Sequence, residues 1–142
     1  NTPSAVVTVL STELNTLANN TFAAVSGVIA NQTNLDTYVD VELNLGTLSP
    51  TAGAYVAVYI AEAVDGTNYP APSSADQRLQ VNALLCTFSL STTAATAQRL
   101  VCRNVVIPPG TFKIYLDNQA GAAMNATGNT LKFLPYNVNL NG

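Results

Sequence analysis

Hydrophobic and polar residues alternate along much of the chain, most clearly over residues 38–45. Val39, Val41, Leu43 and Leu45 point to one side, and Tyr38, Asp40, Glu42 and Asn44 point to the other. This period of two residues is typical of a β-strand with one face in a core and one in water. Residues 54–61 follow with apolar, β-branched and aromatic side chains on both sides, and this pattern predicts a central strand.

Similar short stretches recur and are separated by turn-forming residues. Further strands are predicted at 5–10, 22–30, 79–90, 99–107, 111–116 and 130–140, with turns or loops at 47–53, 65–74, 91–97, 108–110 and 118–129. In the 79–90 strand one side is predicted to hold Val81, Ala83, Leu85 and Thr87; in the 99–107 strand, Leu100, Cys102, Asn104 and Val106. Short strands without intervening helices predict an all-β fold, a jelly-roll-like antiparallel β-sandwich.

The first 20 residues do not follow this regular succession of strands and turns. We predict an N-terminal arm or short helix over 1–20 and a single β-sandwich domain over 21–142. Ser11 is placed to cap such a helix, with Glu13 in the first turn, where the helix dipole favours an acid. Two arrangements of the arm stay open: it adds a strand to a neighbouring subunit, or it pairs with its own sandwich.

The composition bears on what surrounds the protein. Hydrophobic residues make up 48% of the chain and charged residues only 9%, against about 25% charged in an average soluble domain. So little charge suits a surface that is packed against neighbours; a polar surface of Thr, Asn and Ser is the alternative. No apolar run approaches the roughly 20 residues that cross a bilayer, so no membrane partner is expected.

The charges are divided unevenly along the chain. Residues 1–77 hold seven acidic and no basic side chains, a net of −7, while residues 78–142 hold five basic against one acidic, a net of +4, for a total of −3. Either the two halves meet on the surface of one sandwich, or they face different ends and favour head-to-tail pairing. Five scattered basic residues do not form the stripe that nucleic acid requires.

The sequence contains few candidate catalytic residues. The chain has no histidine, which excludes Ser-His-Asp and Cys-His nucleophile systems and any His-bearing metal site. Asp40 and Glu42 form the nearest carboxylate pair, on one face of one strand, and we interpret them as a solvated face because a glycosidase needs its carboxyl groups on opposite sides of a bond. Asn34, Asp36, Asp40 and Asp65 match no calcium-loop spacing. We expect no enzymatic activity, catalytic residue, cofactor or metal.

Two further groups of side chains have alternative interpretations. Cys86 and Cys102 can form a disulfide if they lie on neighbouring strands. We favour the alternative that they are two buried reduced thiols in a protein assembled in the cytosol. Tyrosine rings stack on sugars, and the residues available for such a face are Tyr55, Tyr59, Tyr69, Tyr115 and Tyr136. We favour instead tyrosines that fill the rim of the sandwich.

Several segments in order along the chain carry a resemblance to a known group of proteins. They are 33–43 (TNLDTYVDVEL), 50–53 with 55–60 (PTAG, YVAVYI), 64–69 (VDGTNY), 97–101 (AQRLV), 107–113 (IPPGTFK), 118–121 (NQAG) and 128–131 (GNTL). Together they resemble small virion structural proteins of tailed bacteriophages, some of which are capsid cement (decoration) proteins. The similarity spans residues 11–135.

The resemblance implies a β-sandwich present in many copies on an icosahedral shell, assembled in the bacterial host cytoplasm and bound to the major capsid protein at the capsid surface. It carries no catalytic residue over to this chain. Surface loops are the expected contacts, and the candidate residues are Asp65, Gly66, Thr67, Asn68, Tyr69, Asn118, Gln119 and Asn125. A homo-oligomer, dimer or trimer, is also expected. The alternative is a tail or fibre appendage that binds a carbohydrate receptor.

Overall fold

The computed structural model describes residues 3–70 and 83–138, which contain nine β-strands and one short 3₁₀ helix, Thr12–Leu14. None of the helical structure in these residues is long and apolar enough to cross a membrane. The strands are β1 Val7–Leu10, β2 Thr21–Val25, β3 Ile29–Asn31, β4 Tyr38–Leu48, β5 Tyr55–Glu62, β6 Leu84–Ser89, β7 Thr96–Val106, β8 Gly110–Gln119 and β9 Thr130–Tyr136.

The strands form two antiparallel sheets. Sheet A has the order β1-β9-β4-β7, and sheet B has the order β2-β8-β5-β6, with β3 also paired to β8. β2 and β3 are two halves of one interrupted strand, so each sheet has four strands. The first strand of the chain, β1, pairs with the last strand, β9. This is the strand order of a jelly roll. The prediction of an all-β antiparallel sandwich is confirmed.

The core lies between the two sheets, as the alternation predicts. In β4 the inward positions Val39, Val41 and Leu43 are fully buried, while the side chains between them are half-buried. They pack against inward residues of sheet B, among them Val58 and Phe112. The alternating side of β4 therefore forms one wall of a single hydrophobic core.

Two predictions of strand facing are wrong. In β6 Leu85 packs against the core, but Thr87 is exposed and Cys86 and Phe88 are buried, because a bulge in the pairing with β5 interrupts the alternation after Leu85. Of the predicted set, Val81 lies outside the described residues. In β7 the alternation holds as far as Cys102, and then a bulge intervenes, because Val41 pairs with Cys102 but Val39 pairs with Val105.

The bulge inverts the end of β7. Asn104 adopts φ 56°, a left-handed conformation that asparagine tolerates better than most residues. As a result Val105 packs against the core, and Val106 is 64% exposed. The prediction that Asn104 and Val106 continue the face of Leu100 and Cys102 is therefore wrong from the bulge onward.

Several strand boundaries differ from the predictions. The 22–30 strand is split into β2 and β3 at Ser26, whose backbone N–H donates to Ile114 O and whose Oγ accepts from Ile114 N–H, both at 2.9 Å. β4 continues through the start of the turn predicted at 47–53. β8 continues to Gln119, so the loop that was predicted to begin at residue 118 begins at residue 120 in the structure.

The N-terminal segment belongs to the sandwich. β1 pairs antiparallel with β9 of the same chain, and Leu10 and Leu14 are buried in the core. The N-terminal segment therefore pairs with its own sandwich and not with a neighbouring subunit. The boundary predicted at residue 20 falls within one continuous core. Ser11 precedes the helix but its side chain makes no capping hydrogen bond; instead the Glu13 carboxylate accepts from Ser11 N–H at 2.8 Å, which lowers the pKa of Glu13.

Gly46 marks a close approach between β4 and the loop that precedes β9. A Cβ at this position would lie 2.2 Å from the backbone oxygen of Thr127 and 2.9 Å from Cβ of Asn125. Gly46→Ala is therefore expected to force the two backbones apart and to lower the free energy of unfolding by about 2 kcal/mol. Urea unfolding measures the change, and Gly27→Ala, where a Cβ meets nothing within 4 Å, is the matched control.

Candidate protein-contact surface

An open groove of about 710 Å³ lies at the end of the sandwich where β4 begins. We call it the end groove. Its walls come from both sheets: its exposed apolar side chains are Leu35, Leu84 and Val106, and its other lining residues are Asp36, Thr37, Ile60, Glu62, Leu85, Val105, Ile107, Pro108 and Pro109. The end groove is thus an apolar surface with one exposed carboxylate, Glu62, and one buried carboxylate, Asp36.

Local backbone features turn the three apolar side chains outward. Leu35 is 55% exposed and stands at φ 49° in the loop before β4. Leu84, 40% exposed, is the first residue of β6, and Val106 ends β7 just beyond the bulge. Single exposed apolar residues are ordinary, but three around one concave surface are typical of a site that contacts another molecule. The end groove was not predicted from the sequence.

The predicted contact loop Asp65–Tyr69 lies at the same end, because it follows β5, whose last residue Glu62 lines the end groove. Asp65 Oδ1 accepts from the backbone N–H groups of Thr67 at 2.9 Å and Asn68 at 2.7 Å, and Oδ2 accepts from the Asn68 side-chain amide at 2.6 Å. Such a turn holds its own shape with little help from the core. The loop is therefore a preformed, exposed projection.

The loop is also held from its far side. Lys113 Nζ lies 5.0 Å from the centroid of the Tyr69 ring, a cation–π contact between the loop and the outer face of β8. Gly66 takes φ 74°, which only glycine adopts without strain. Of the predicted contact residues, Asp65, Gly66, Thr67 and Asn68 are exposed and Tyr69 is half-buried.

The Asp65 turn leads to a pH prediction. Its hydrogen bonds, the largest from Asn68 N–H, lower the pKa of Asp65 from 3.8 to about 2. Because the folded pKa is depressed, the turn is fully held above pH 3.8 and is released as the pH falls towards 2. An NMR titration of the Asp65 carboxyl carbon is expected to give that low midpoint, and Asn68→Ala is expected to raise it. A midpoint near 3.8 in both proteins contradicts the turn.

The remaining predicted contact residues lie at the opposite end of the sandwich, where β4 ends; we call this the polar end. Asn118 is fully buried within β8, so its side chain is removed from the surface and its prediction as a loop residue is wrong. Gln119 is half-buried, with its amide donating to Asn20 and Asp117 at 2.9 Å. Asn125 is half-buried beside the close approach at Gly46.

Asn118 joins three parts of the polar end. Its side-chain amide donates to the backbone oxygens of Leu17 at 2.9 Å and Ala122 at 3.0 Å, and its Oδ1 accepts from Ala120 N–H at 3.0 Å. The N-terminal segment and the loop after β8 are therefore tied to one buried side chain. The role of Asn118 is structural, and the predicted contact residues do not form one surface.

The carboxylates of β4 are paired across the sheet with arginines of β7. Arg99 Nη2 lies 2.7 Å from Glu42 Oε2, and Arg103 Nη1 lies 3.4 Å from Asp40 Oδ2. Hydrogen bonds from Asn44 and then from Arg99 lower the pKa of Glu42. Acidic and basic parts of the chain thus meet on the outer face of sheet A, the first of the two charge arrangements, where Asp40 and Glu42 line a shallow pocket of about 340 Å³ together with Arg99 and Arg103.

The tyrosines do not form one open face for a sugar. Tyr59 and Tyr115 are buried on the outer face of sheet B, with their ring centroids 5.0 and 6.4 Å from that of Phe22. Burial raises the pKa of Tyr115. Tyr136 lies on the other sheet, where its ring stacks on Tyr38 at 5.9 Å. These rings pack mainly against one another.

Within residues 3–70 and 83–138, no three His, Cys, Asp or Glu side chains come together in a group that could hold a metal ion. The four side chains considered as calcium ligands are occupied elsewhere or apart. Asp36 is buried and accepts from Ser4 Oγ at 2.8 Å. Asp40 lies on the outer face of sheet A, and Asp65 holds its own turn.

Comparisons of the chain with protein-family models, curated proteins and solved structures gave no match.

Proposed function

We propose that this protein is a virion structural subunit of a tailed phage, a decoration protein that binds the outer surface of the major capsid protein lattice and stabilises the head. The end groove carries the proposal. It holds three large apolar side chains in water, Leu35, Leu84 and Val106, in a concave surface built from both sheets. A partner that inserts an apolar side chain there removes that surface from water.

The magnitude fits a repeated contact. Burial of each of the three side chains contributes about 1 kcal/mol, because roughly half of each is already covered. A few kcal/mol gives weak binding for one isolated contact. On a shell that repeats the same contact many times, modest individual contacts accumulate into a large total stabilisation. An adhesive protein of this kind needs no catalytic reaction.

Three other observations support the proposal. The jelly-roll order is one that viral capsid and lectin domains use, although a fold by itself does not assign a function. Charged residues are only 9% of the chain, which suits a protein packed among neighbours. The third observation is the resemblance of successive segments within residues 11–135 to small virion structural proteins of tailed phages. A dimer or trimer of the subunit on the shell belongs to the same proposal.

The test is a titration of expanded capsids, assembled without this protein, with the purified chain. Saturable co-sedimentation at a fixed ratio to the major capsid protein, together with a higher melting temperature of the capsids, is the expected result. Presence of the protein at only a few copies per particle, with binding to glycans instead of capsids, would assign it to the tail or a fibre and overturn the proposal.

A further inference from the structure

The two cysteines lie where the open margins of the sheets come together. Cys86 is on β6, the outermost strand at one side of sheet B, and Cys102 is on β7, the outermost strand of sheet A at the same side. Cys86 is buried in the core, and Cys102 is half-buried and packs against that core. Both are free thiols here. They therefore face one another from different sheets.

The two sheets are closer together at this margin than packed sheets usually are. Packed sheets are about 10 Å apart, which is too far for a disulfide, because its two Cα atoms are separated by at most about 7 Å. β6 and β7 converge, with Cα atoms of the two strands within 8 Å. The thiols interact directly: burial raises the pKa of Cys86, and the neighbouring Cys102 thiol raises it further.

We propose that Cys86 and Cys102 form an intramolecular disulfide under oxidising conditions and thereby fasten sheet A to sheet B. The inference goes beyond the proposed function and does not depend on it. It also revises the interpretation of two buried reduced thiols, because Cys86 and Cys102 are neighbours across the core.

The difference in burial gives the order of events. Oxidised glutathione reaches the half-buried Cys102 first; the Cys102 thiolate attacks one glutathione sulfur, a mixed disulfide forms, and glutathione thiolate leaves. Cys86 then gives up its proton and attacks Sγ of Cys102, which expels the second glutathione. In sum two cysteine thiols are oxidised, one molecule of oxidised glutathione is reduced, and two molecules of glutathione are released. Burial of Cys86 makes the second step slow at neutral pH.

The bond closes the loop formed by residues 86–102, which restricts the unfolded chain. Closure of a loop of this length is expected to raise the melting temperature by roughly 5–10 °C. The effect is expected to be reversible, because a reductant that reaches Cys102 restores the two thiols. The same chain therefore has a less stable reduced form and a more stable oxidised form.

The experiment uses the full chain, incubated with oxidised glutathione at pH 8 and then quenched with iodoacetamide. Mass spectrometry is expected to show a monomer lighter by two hydrogen atoms, with no alkylated cysteine and a peptide linking Cys86 to Cys102. Thermal melts before and after reduction report the shift. Cys102→Ser, the matched control at the half-buried position, is expected to melt at one temperature in both conditions.

Three outcomes overturn the inference. One is a stable glutathione adduct at Cys102 with Cys86 still open to alkylation after unfolding. Another is a disulfide found solely between two chains. The third is an intramolecular disulfide that leaves the melting temperature unchanged or lowers it, because the bond would then strain the sandwich instead of fastening it. Cys86→Ala, which fills the same buried position without a thiol, distinguishes loss of packing from loss of the bond.

Discussion

Val106→Asp is expected to weaken binding of the protein to expanded capsids at least ~10-fold and to leave the sandwich folded. Val106 is 64% exposed at the margin of the end groove, beyond the bulge of β7, so a carboxylate there remains in water in the free protein. Once a partner covers the groove, the same carboxylate loses its water without gaining a counter-charge. It also lies on the surface that carries the exposed carboxylate of Glu62.

The matched control for this variant lies on the same strand. Val101 is 48% exposed on the outer face of sheet A, away from the end groove and between Arg99 and Arg103. Val101→Asp is expected to bind capsids like the unmodified protein. Leu84→Asp, on the wall contributed by sheet B, is expected to reproduce the loss seen with Val106→Asp. Thermal melts of all three proteins verify that they are folded.

Equal binding by the Val106 and Leu84 variants and the unmodified protein would remove the end groove from the contact. A loss shared by Val101→Asp would point to the outer face of sheet A instead. The titration of expanded capsids gives these affinities, and it is to be run at two salt concentrations, because an apolar contact is weakened little by salt whereas contacts between exposed charges are screened.

Asn118→Ala is expected to have the largest effect on stability, a loss on the order of 3 kcal/mol in the free energy of unfolding. The substitution leaves the backbone oxygen of Ala122 and the N–H of Ala120 without their side-chain partner, while the backbone oxygen of Leu17 keeps only its hydrogen bond from Met124 N–H at 3.0 Å. Each buried group left unsatisfied costs about 1–3 kcal/mol, and water entering the small cavity recovers part of the total. Urea unfolding measures the loss as a lower midpoint.

Asn34→Ala is the control for Asn118→Ala. Asn34 is exposed and its amide donates to Ser4 Oγ at 3.2 Å, so its removal is expected to change the free energy of unfolding by less than about 0.5 kcal/mol. If Asn118→Ala costs less than about 1 kcal/mol, the three hydrogen bonds do not hold the polar end together. A capsid-binding loss in Asn118→Ala without loss of stability would restore it as a contact residue.

Most of the fold could be predicted from the alternation of apolar and polar side chains along the sequence. Val39, Val41 and Leu43 could be assigned to the core because a strand with one wet face repeats every two residues, and nothing non-local is needed to recognise it. The antiparallel sandwich could be predicted as a class, since short strands without helices leave few architectures, whereas the order of the strands in the two sheets is known from the structure. The turn at Asp65 was also predictable, because Asp-Gly favours a local turn by its own chemistry.

The end groove and the role of Asn118 were not predictable, for a common reason. A bulge at Asn104 turns Val106 outward, and a bulge depends on how β7 pairs with β4, which its own pattern does not reveal. Asn118 looks like a loop residue among Gly, Ala and Asn, yet its partners include Leu17, which is 101 residues away in the chain. Both features are set by long-range pairing.

A cryo-EM reconstruction of expanded capsids saturated with the protein shows which surface of the sandwich meets the shell. We expect density for the sandwich above the shell, with Leu35, Leu84 and Val106 of the end groove against the major capsid protein and the polar end directed outward. A reconstruction in which the polar end or the outer face of a sheet meets the shell, or which shows no added density, would rule out the end groove as the capsid contact.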